Sequence, residues 1–173
     1  MHDQLDNHYF ERYKRHILIK NIGGRGQKKL VQAKVLLVGL GGIGSTVLQH
    51  LAAAGIGKIG LVDQDTVALS NLQRQTIYTF EDIGRKKVSV ASNFVKNLNK
   101  NVDISEYDFF LNANNSTSVI DEYDIVLDGT DNVESRELIN QHCVKLGKPL
   151  IFGGVSGWEA VSYTHLRAHE TIA

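Results

Sequence analysis

Residues 34–44 read KVLLVGLGGIG, and this stretch decides the fold. Its first half, KVLLVG (34–39), is a continuous apolar run, as expected of a strand covered on both faces of a parallel sheet. Its second half, Gly39-Leu40-Gly41-Gly42-Ile43-Gly44, is a G-x-G-x-x-G that opens a helical pattern over 42–54, with Val47, Leu48, Leu51 and Ala52 on one side. In such a junction Gly39 permits the tight turn, Gly41 lets a phosphate approach the backbone, and Gly44 lets the helix pack close to the strand. Free N–H groups and the helix dipole favour an anion there. The next apolar run, KIGLVD (58–63), ends in Asp63, an acid placed to bind ribose hydroxyls. Together these features predict nucleotide binding.

Working outward, the chain keeps alternating. A looser segment spans 64–84. A helix is predicted over 85–98 (Val88, Ala91, Val95 and Leu98 on one face), a strand within 102–110, a short helix over 116–122, a strand over 124–129, a helix over 133–146 and a strand over 149–154. This order predicts an α/β fold: a Rossmann-like, doubly wound, mainly parallel sheet with helices on both faces. Residues 1–33 form a polar helical arm, with Tyr9, Phe10, Tyr13, Ile17 and Leu18 on one sticky face. Gly23-Gly24-Arg25-Gly26 is expected to break that arm. The domain therefore runs over 34–160. The remainder, AVSYTHLRAHETIA from Ala160 on, fits neither a continuing strand nor a capped helix. Residues 161–173 are expected to be a non-native tail, the nucleotide-binding domain being incomplete at its C-terminal end.

Composition bounds the function. The chain has 173 residues, 42% hydrophobic and 22% charged, enough for one domain with a buried core. Nineteen basic and nineteen acidic residues cancel, which leaves no bulk field to attract nucleic acid or an anionic membrane. A single cysteine, Cys143, excludes an intrachain disulfide and a cysteine-built metal cluster. The polar, acid-containing start is unlike a secretory signal, and no apolar run reaches the roughly 18 residues of a membrane helix. A cytoplasmic, non-membrane protein is expected.

The remaining candidates are charged groups at strand ends. Asn71-Leu72-Gln73-Arg74-Gln75 follows the Asp63 strand, Arg85-Lys86-Lys87 opens the next helix, and Arg12 and Arg15 lie on the arm. Basic groups from separate segments suit a triphosphate, gripped bidentately by arginine and by lysine as a point charge. Asp128, Asp131 and Asn132 close the fourth strand at the carboxyl edge, where ligands bind. A carboxylate there suits Mg²⁺ bridging phosphates. A nicotinamide- or flavin-dependent oxidoreductase would need only the glycine motif and Asp63. The extra cations and Asp131 weigh against it. Cys143, inside a helical pattern, reads as a packed thiol, and His142 beside it as structural. Trp158 is expected to pack at the end of the fifth strand. His165 and His169 have a spacing that can bind metal, in a segment that gives them little weight. Tyr9 and Tyr13 are expected to glue the arm to a partner.

RYKRHILI, VGLGGIGS, LVDQD, SNLQRQ, GRKKV and VLDGTDN, in this order over about residues 9–160, resemble the ThiF/MoeB/HesA group, bacterial relatives of the E1 ubiquitin-activating enzymes. The resemblance implies an adenylyltransferase. It would use ATP and Mg²⁺ to activate the C-terminal glycine of a ubiquitin-like sulfur carrier protein, releasing pyrophosphate, in thiamine or molybdopterin cofactor biosynthesis. It implies that Gly42 contacts the nucleotide through its backbone and that Asp63 binds the ribose. Asn71, Arg74 and Gln75 contact the phosphates. Lys87, rather than Lys86, is the phosphate lysine, and Asp131 is tied to Mg²⁺ and catalysis, with Asn132 beside it. Arg15 matches an arginine that reaches a partner protomer's site, implying a homodimer. The Asn-x-Gln-Arg-Gln form favours the sulfur-carrier activators over the related tRNA-modifying dehydratases. The family's paired Cys-x-x-Cys zinc ligands and transfer cysteine are not in this sequence. A truncated chain is therefore expected, and a nucleotide-binding module without activity is the remaining alternative.

Overall fold

In the computed structural model, residues 7–156 and 159–165 are described. Twelve main elements follow one another in these residues: α1 (Asn7–Ile17), α2 (Gly23–Gln32), β1 (Lys34–Val38), α3 (Gly42–Ala54), β2 (Lys58–Val62), α4 (Lys87–Leu98), β3 (Asp103–Tyr107), α5 (Ser116–Asp121), β4 (Ile125–Asp128), α6 (Val133–Leu146), β5 (Leu150–Ser156) and β6 (Glu159–His165). The strands form one sheet in the order β3-β2-β1-β4-β5-β6. The first five are parallel, and β6 runs antiparallel to β5. The chain moves outward from β1 to β3, then returns to β4 on the other side of β1. That reversal opens a crevice above the carboxyl ends of β1 and β4.

Alternation along β1 supplies both layers. Val35 and Leu37 point into one core with Leu48, Ala52, Val88, Ala91 and Val95 from α3 and α4. Leu36 and Val38 point into the other with Val119, Ile120, Ile139 and Cys143 from α5 and α6. The predicted doubly wound sheet is therefore present, and β1 is buried on both faces as its unbroken apolar run requires.

Three features differ from the sequence reading. Gly23-Gly24-Arg25-Gly26 does not break the arm but forms the first turn of α2, and the break falls before it. Glycine is a poor helix former, so tertiary packing holds this turn. Gln27 is fully buried and donates to the Ala54 carbonyl (2.9 Å), and Leu30 packs on the core. A Cβ on Gly26 would stand 2.9 Å from Ile22 Cγ2, so the preceding loop closes tightly on it. Second, Tyr13 does not wait for a partner protein. It is buried on its own domain, where its hydroxyl accepts from Asn99 Nδ2 (2.8 Å) over Gly55. Third, residues 159–165 form a strand where none is expected, in register with β5 from Ser156↔Glu159 to Leu150↔His165. Backbone pairing to an open sheet edge is available to any extended segment, so the side-chain pattern is no guide there. Trp158 and His169 lie outside the described residues.

Candidate functional site

The crevice is a cleft of about 1020 Å³ at the carboxyl edge of the sheet. Its floor is the glycine turn. Gly39 has φ +86°, and a Cβ on it would press on the Gly129 carbonyl carbon and oxygen at 3.0 Å. Leu40 is held from two sides. Its N–H donates to Asp63 Oδ2 (2.8 Å), and its carbonyl accepts from the Tyr78 hydroxyl (3.1 Å). Burial raises the Tyr78 pKa above that of a free tyrosine, helped by the charges of Asp63, Asp65 and Asp82, so this donor keeps its proton. Asp63 also accepts from the Asp65 N–H through Oδ1 (2.8 Å). A carboxylate oxygen carries two lone pairs, and Asp63 lines the cleft, so capacity for a ligand hydroxyl remains.

The loop after β2 folds back over this floor. A Cβ on Gly42 would stand 3.5 Å from Arg74 Cδ and 3.8 Å from its Nε, so the arginine lies across the glycine turn. One end of its guanidinium donates to the Ser70 carbonyl (3.0 Å). Gln75 is next, 3.9 Å from the corresponding point on Gly41. Its Oε1 is buried with no hydrogen-bond partner among the described residues. An unpaired buried amide is costly. Because the amide can flip, this position can offer a bound nucleotide either an acceptor or a donor. Asn71 turns its side chain inward to cap the loop, accepting from the Ala68 N–H (3.0 Å).

Lys87 and Lys86 part company at the start of α4. Lys87 is buried against the cleft with Nζ 3.0 Å from Asp65 Oδ2. Lys86 points to Asp108 (3.0 Å) and the Gln64 carbonyl, and Arg85 to Asp82 (2.7 Å). On the opposite wall Asp131 is exposed and lines the cleft, with no hydrogen bond or ion pair to another described residue. Asn132 lines the cleft too, but its Oδ1 caps α6 by accepting from the Ser135 N–H (2.8 Å).

Three expected contributors stand elsewhere. Arg12 is turned away, donating to the Leu98 carbonyl at the end of α4. Arg15 is exposed on α1 and is not among the residues lining the cleft of its own chain. Asp128 is buried below the cleft and bonded to Thr130 (2.7 and 2.8 Å), and burial raises its pKa. The structure adds Arg136, Phe110, Leu111 and Phe152 to the lining. The sequence reading singles out none of these four. Cys143 is buried, and burial pushes its thiol up to about 12. His142 pairs with the Thr117 hydroxyl (2.9 Å). The native chain is expected to resist thiol reagents at about pH 8 and to react quickly once denatured. Equal labelling rates in the two states would contradict the buried placement.

What the cleft offers is a glycine turn at a helix N-terminus, the Asp63 carboxylate beside it, three cations (Arg74, Lys87 and Arg136) and the carboxylate of Asp131, which has no partner among the described residues. A single carboxylate plus substrate phosphates is how Mg²⁺ is usually held, so Asp131 fits that ion. Known proteins carry the same combination of sequence and fold. The chain is 43% identical over 145 residues to the sulfur carrier protein adenylyltransferase of Thermus thermophilus, covering 84% of this chain and 54% of that protein. It is 42% identical over 148 residues to the probable adenylyltransferase/sulfurtransferase MoeZ of Mycobacterium tuberculosis, covering 86% and 38%. It thus spans about half, or less, of the length of these relatives. Among solved structures, E. coli tRNA N6-threonylcarbamoyladenosine dehydratase, TcdA, in complex with ATP superposes with a TM-score of 0.81 at 26% identity, covering 87% of this chain and 62% of that one. E. coli MccB bound to MccA-N7isoASN gives 0.82 at 30%, covering 91% and 48%. The ThiF family model matches residues 13–172. With the glycine turn, the Arg74 loop and Asp131 assembled around one cleft, the chain belongs to the ThiF family.

Proposed function

We propose that this chain forms the nucleotide-binding core of an adenylyltransferase that activates the C-terminal glycine carboxylate of a ubiquitin-like sulfur carrier protein. The observation that carries this reading is Arg74 lying across Gly42 in a cleft that Lys87 and Asp131 also line. The names of the relatives at 42–43% identity support the same activity. In the reaction a carboxylate oxygen attacks the α-phosphorus of ATP. The bond to the bridging oxygen breaks, and pyrophosphate leaves with that electron pair. The attacking carboxylate is already ionised at neutral pH, so no general base is required. In-line placement and positive charge on the leaving group are required.

Each residue has a corresponding task. Backbone N–H groups of Gly41 and Gly42 at the start of α3 face the phosphates. Asp63 holds the ribose, while Asn71 and Gln75 shape the loop around the phosphates. Arg74 and Lys87 meet the negative charge growing on the leaving pyrophosphate. Asp131 would hold Mg²⁺, which neutralises phosphate oxygens when bound. Gly39 and Gly44 set the turn, and Asn132 fixes the first turn of α6. Arg15, exposed on α1, serves the cleft of a second protomer in a homodimer.

The test is ATP–pyrophosphate exchange with a purified sulfur carrier. Exchange that depends on the carrier, and is lost when its terminal glycine is removed, supports the reading. ATP binding without exchange would make the chain a nucleotide-binding module. NADH binding in place of ATP would return it to the oxidoreductases.

A further inference from the structure

The carboxylate of Asp131 has no partner of its own among the described residues, yet the chain on both sides of it is fixed. Thr130, the residue before, is clasped at every polar group. Its N–H and hydroxyl both donate to Asp128 Oδ1 (2.8 and 2.7 Å). Its carbonyl accepts from Arg136 twice, through Nε (3.2 Å) and Nη2 (2.7 Å). Asn132, the residue after, is locked as the cap of α6. Arg136 also reaches β5: Nη2 lies 3.3 Å from the Gly153 carbonyl, and its guanidinium carbon sits 6.0 Å from the Phe152 ring centroid. The guanidinium also lies against Gly154, where a Cβ would meet Nη1 at 3.5 Å, an ordinary contact. One planar cation thus ties the loop after β4 to the neighbouring strand.

We propose that Arg136 is a positioning residue. With Asp128 and Thr130 it holds the peptide before Asp131 so that this carboxylate faces the metal–triphosphate without rearranging. The proposal rests on the reading of Asp131 as the Mg²⁺ ligand. Removing the groups that orient a metal ligand commonly lowers metal affinity about 10–100-fold. Charge alone does not explain the geometry. Two donors of one fork meet a single carbonyl, and a third contact crosses to another strand, which a lysine has no means to reproduce.

The experiment is calorimetric ATP binding to the whole chain with and without Mg²⁺. In the wild type, Mg²⁺ is expected to tighten ATP binding. In Arg136→Ala and Arg136→Lys alike, the Mg²⁺ concentration needed for half of that gain should rise about 10-fold or more. ATP binding without Mg²⁺ should stay within twofold. Thr130→Val, which loses only the hydroxyl donor, should shift the Mg²⁺ requirement in the same direction by less, and it guards against a folding failure of the arginine variants. In an Asp131→Ala background, Arg136→Ala should change nothing further. Equal weakening with and without Mg²⁺ would overturn the proposal, since Arg136 would then touch the nucleotide itself. An additive loss in the Asp131→Ala background would overturn it too, as would a lower melting temperature with unchanged Mg²⁺ dependence. A wild type that binds ATP with no Mg²⁺ effect would remove the reading of Asp131 beneath it.

Discussion

Asp131→Ala is expected to leave the chain folded and to remove most carrier-dependent pyrophosphate exchange, on the order of 10²–10³ in rate by analogy with deleting one preorganised transition-state contact. The two halves of this expectation have separate causes. Asp131 is exposed and bonded to no other described residue, so its loss should change stability by no more than about 0.5 kcal/mol. In the proposed reaction its task is electrostatic and arises only when a triphosphate is bound. Asp131→Asn keeps the shape and drops the charge, and should lose nearly as much exchange as the alanine variant. Arg74→Ala should behave alike for the opposite charge. Its side chain's one described hydrogen bond goes to a loop carbonyl four residues away, so the fold should tolerate the change while, in the proposed reaction, the leaving pyrophosphate loses a cation. Thermal melts and exchange assays on the same preparations check both halves. Near wild-type exchange in both alanine variants would reject the site assignment.

The parts of this site that are legible in the sequence are those where backbone geometry dictates the residue. Gly39, at φ +86°, and Gly44, whose Cβ would overlap the Gly39 carbonyl, stand where only a missing side chain permits the turn and the helix contact. Asp63 closes a strand whose neighbours are fixed by parallel pairing. The choice of Lys87 over Lys86 comes from the family resemblance. The structure shows why adjacent lysines differ: Lys86 is the extended residue before α4, bridged to Thr66, whereas Lys87 is the first residue of the helix and lines the cleft. What the sequence does not reveal depends on tertiary partners. Periodicity gives α1 a sticky face but not the surface it meets, so Tyr13 reads as a contact for another protein when Asn99 of its own chain receives it. Propensity argues against a helix at Gly23–Gly26, and burial of Gln27 overrides it. Arg136 is one solvated helical charge among several until the fold brings the carbonyls of Thr130 and Gly153 within reach of its guanidinium.

Gly44→Ala is expected to be the most damaging single-methyl change in the cleft. A Cβ at this position would overlap the Gly39 carbonyl oxygen outright and lie 2.9 Å from its carbon. Both are backbone atoms, so no rotamer change relieves the overlap. Nor can Gly39 retreat, because its own near side is filled by Gly129, and a Cβ on Gly129 would in turn lie 3.2 Å from Gly44 N. Three backbones, from the end of β1, the start of α3 and the end of β4, meet with no side chain between them. The helix must therefore move off the sheet, which disturbs the packing of Leu48 and Ala52 and pulls the N–H groups of Gly41 and Gly42 away from the proposed phosphate position. Overpacking of this kind costs about 1–3 kcal/mol where neighbours can shift, and more where they are backbone. At about 2–4 °C per kcal/mol for a domain of this size, the melting temperature should fall by roughly 6–12 °C if the cost is about 3 kcal/mol, and ATP affinity should fall with it. Gly24→Ala is the control. It lies in α2 with open space around it and no positive φ, so alanine should stabilise the chain by about 0.5–1 kcal/mol through helix propensity. Equal melting temperatures and ATP affinities for the two variants would show that the glycine junction is not the close contact on which the nucleotide site is built.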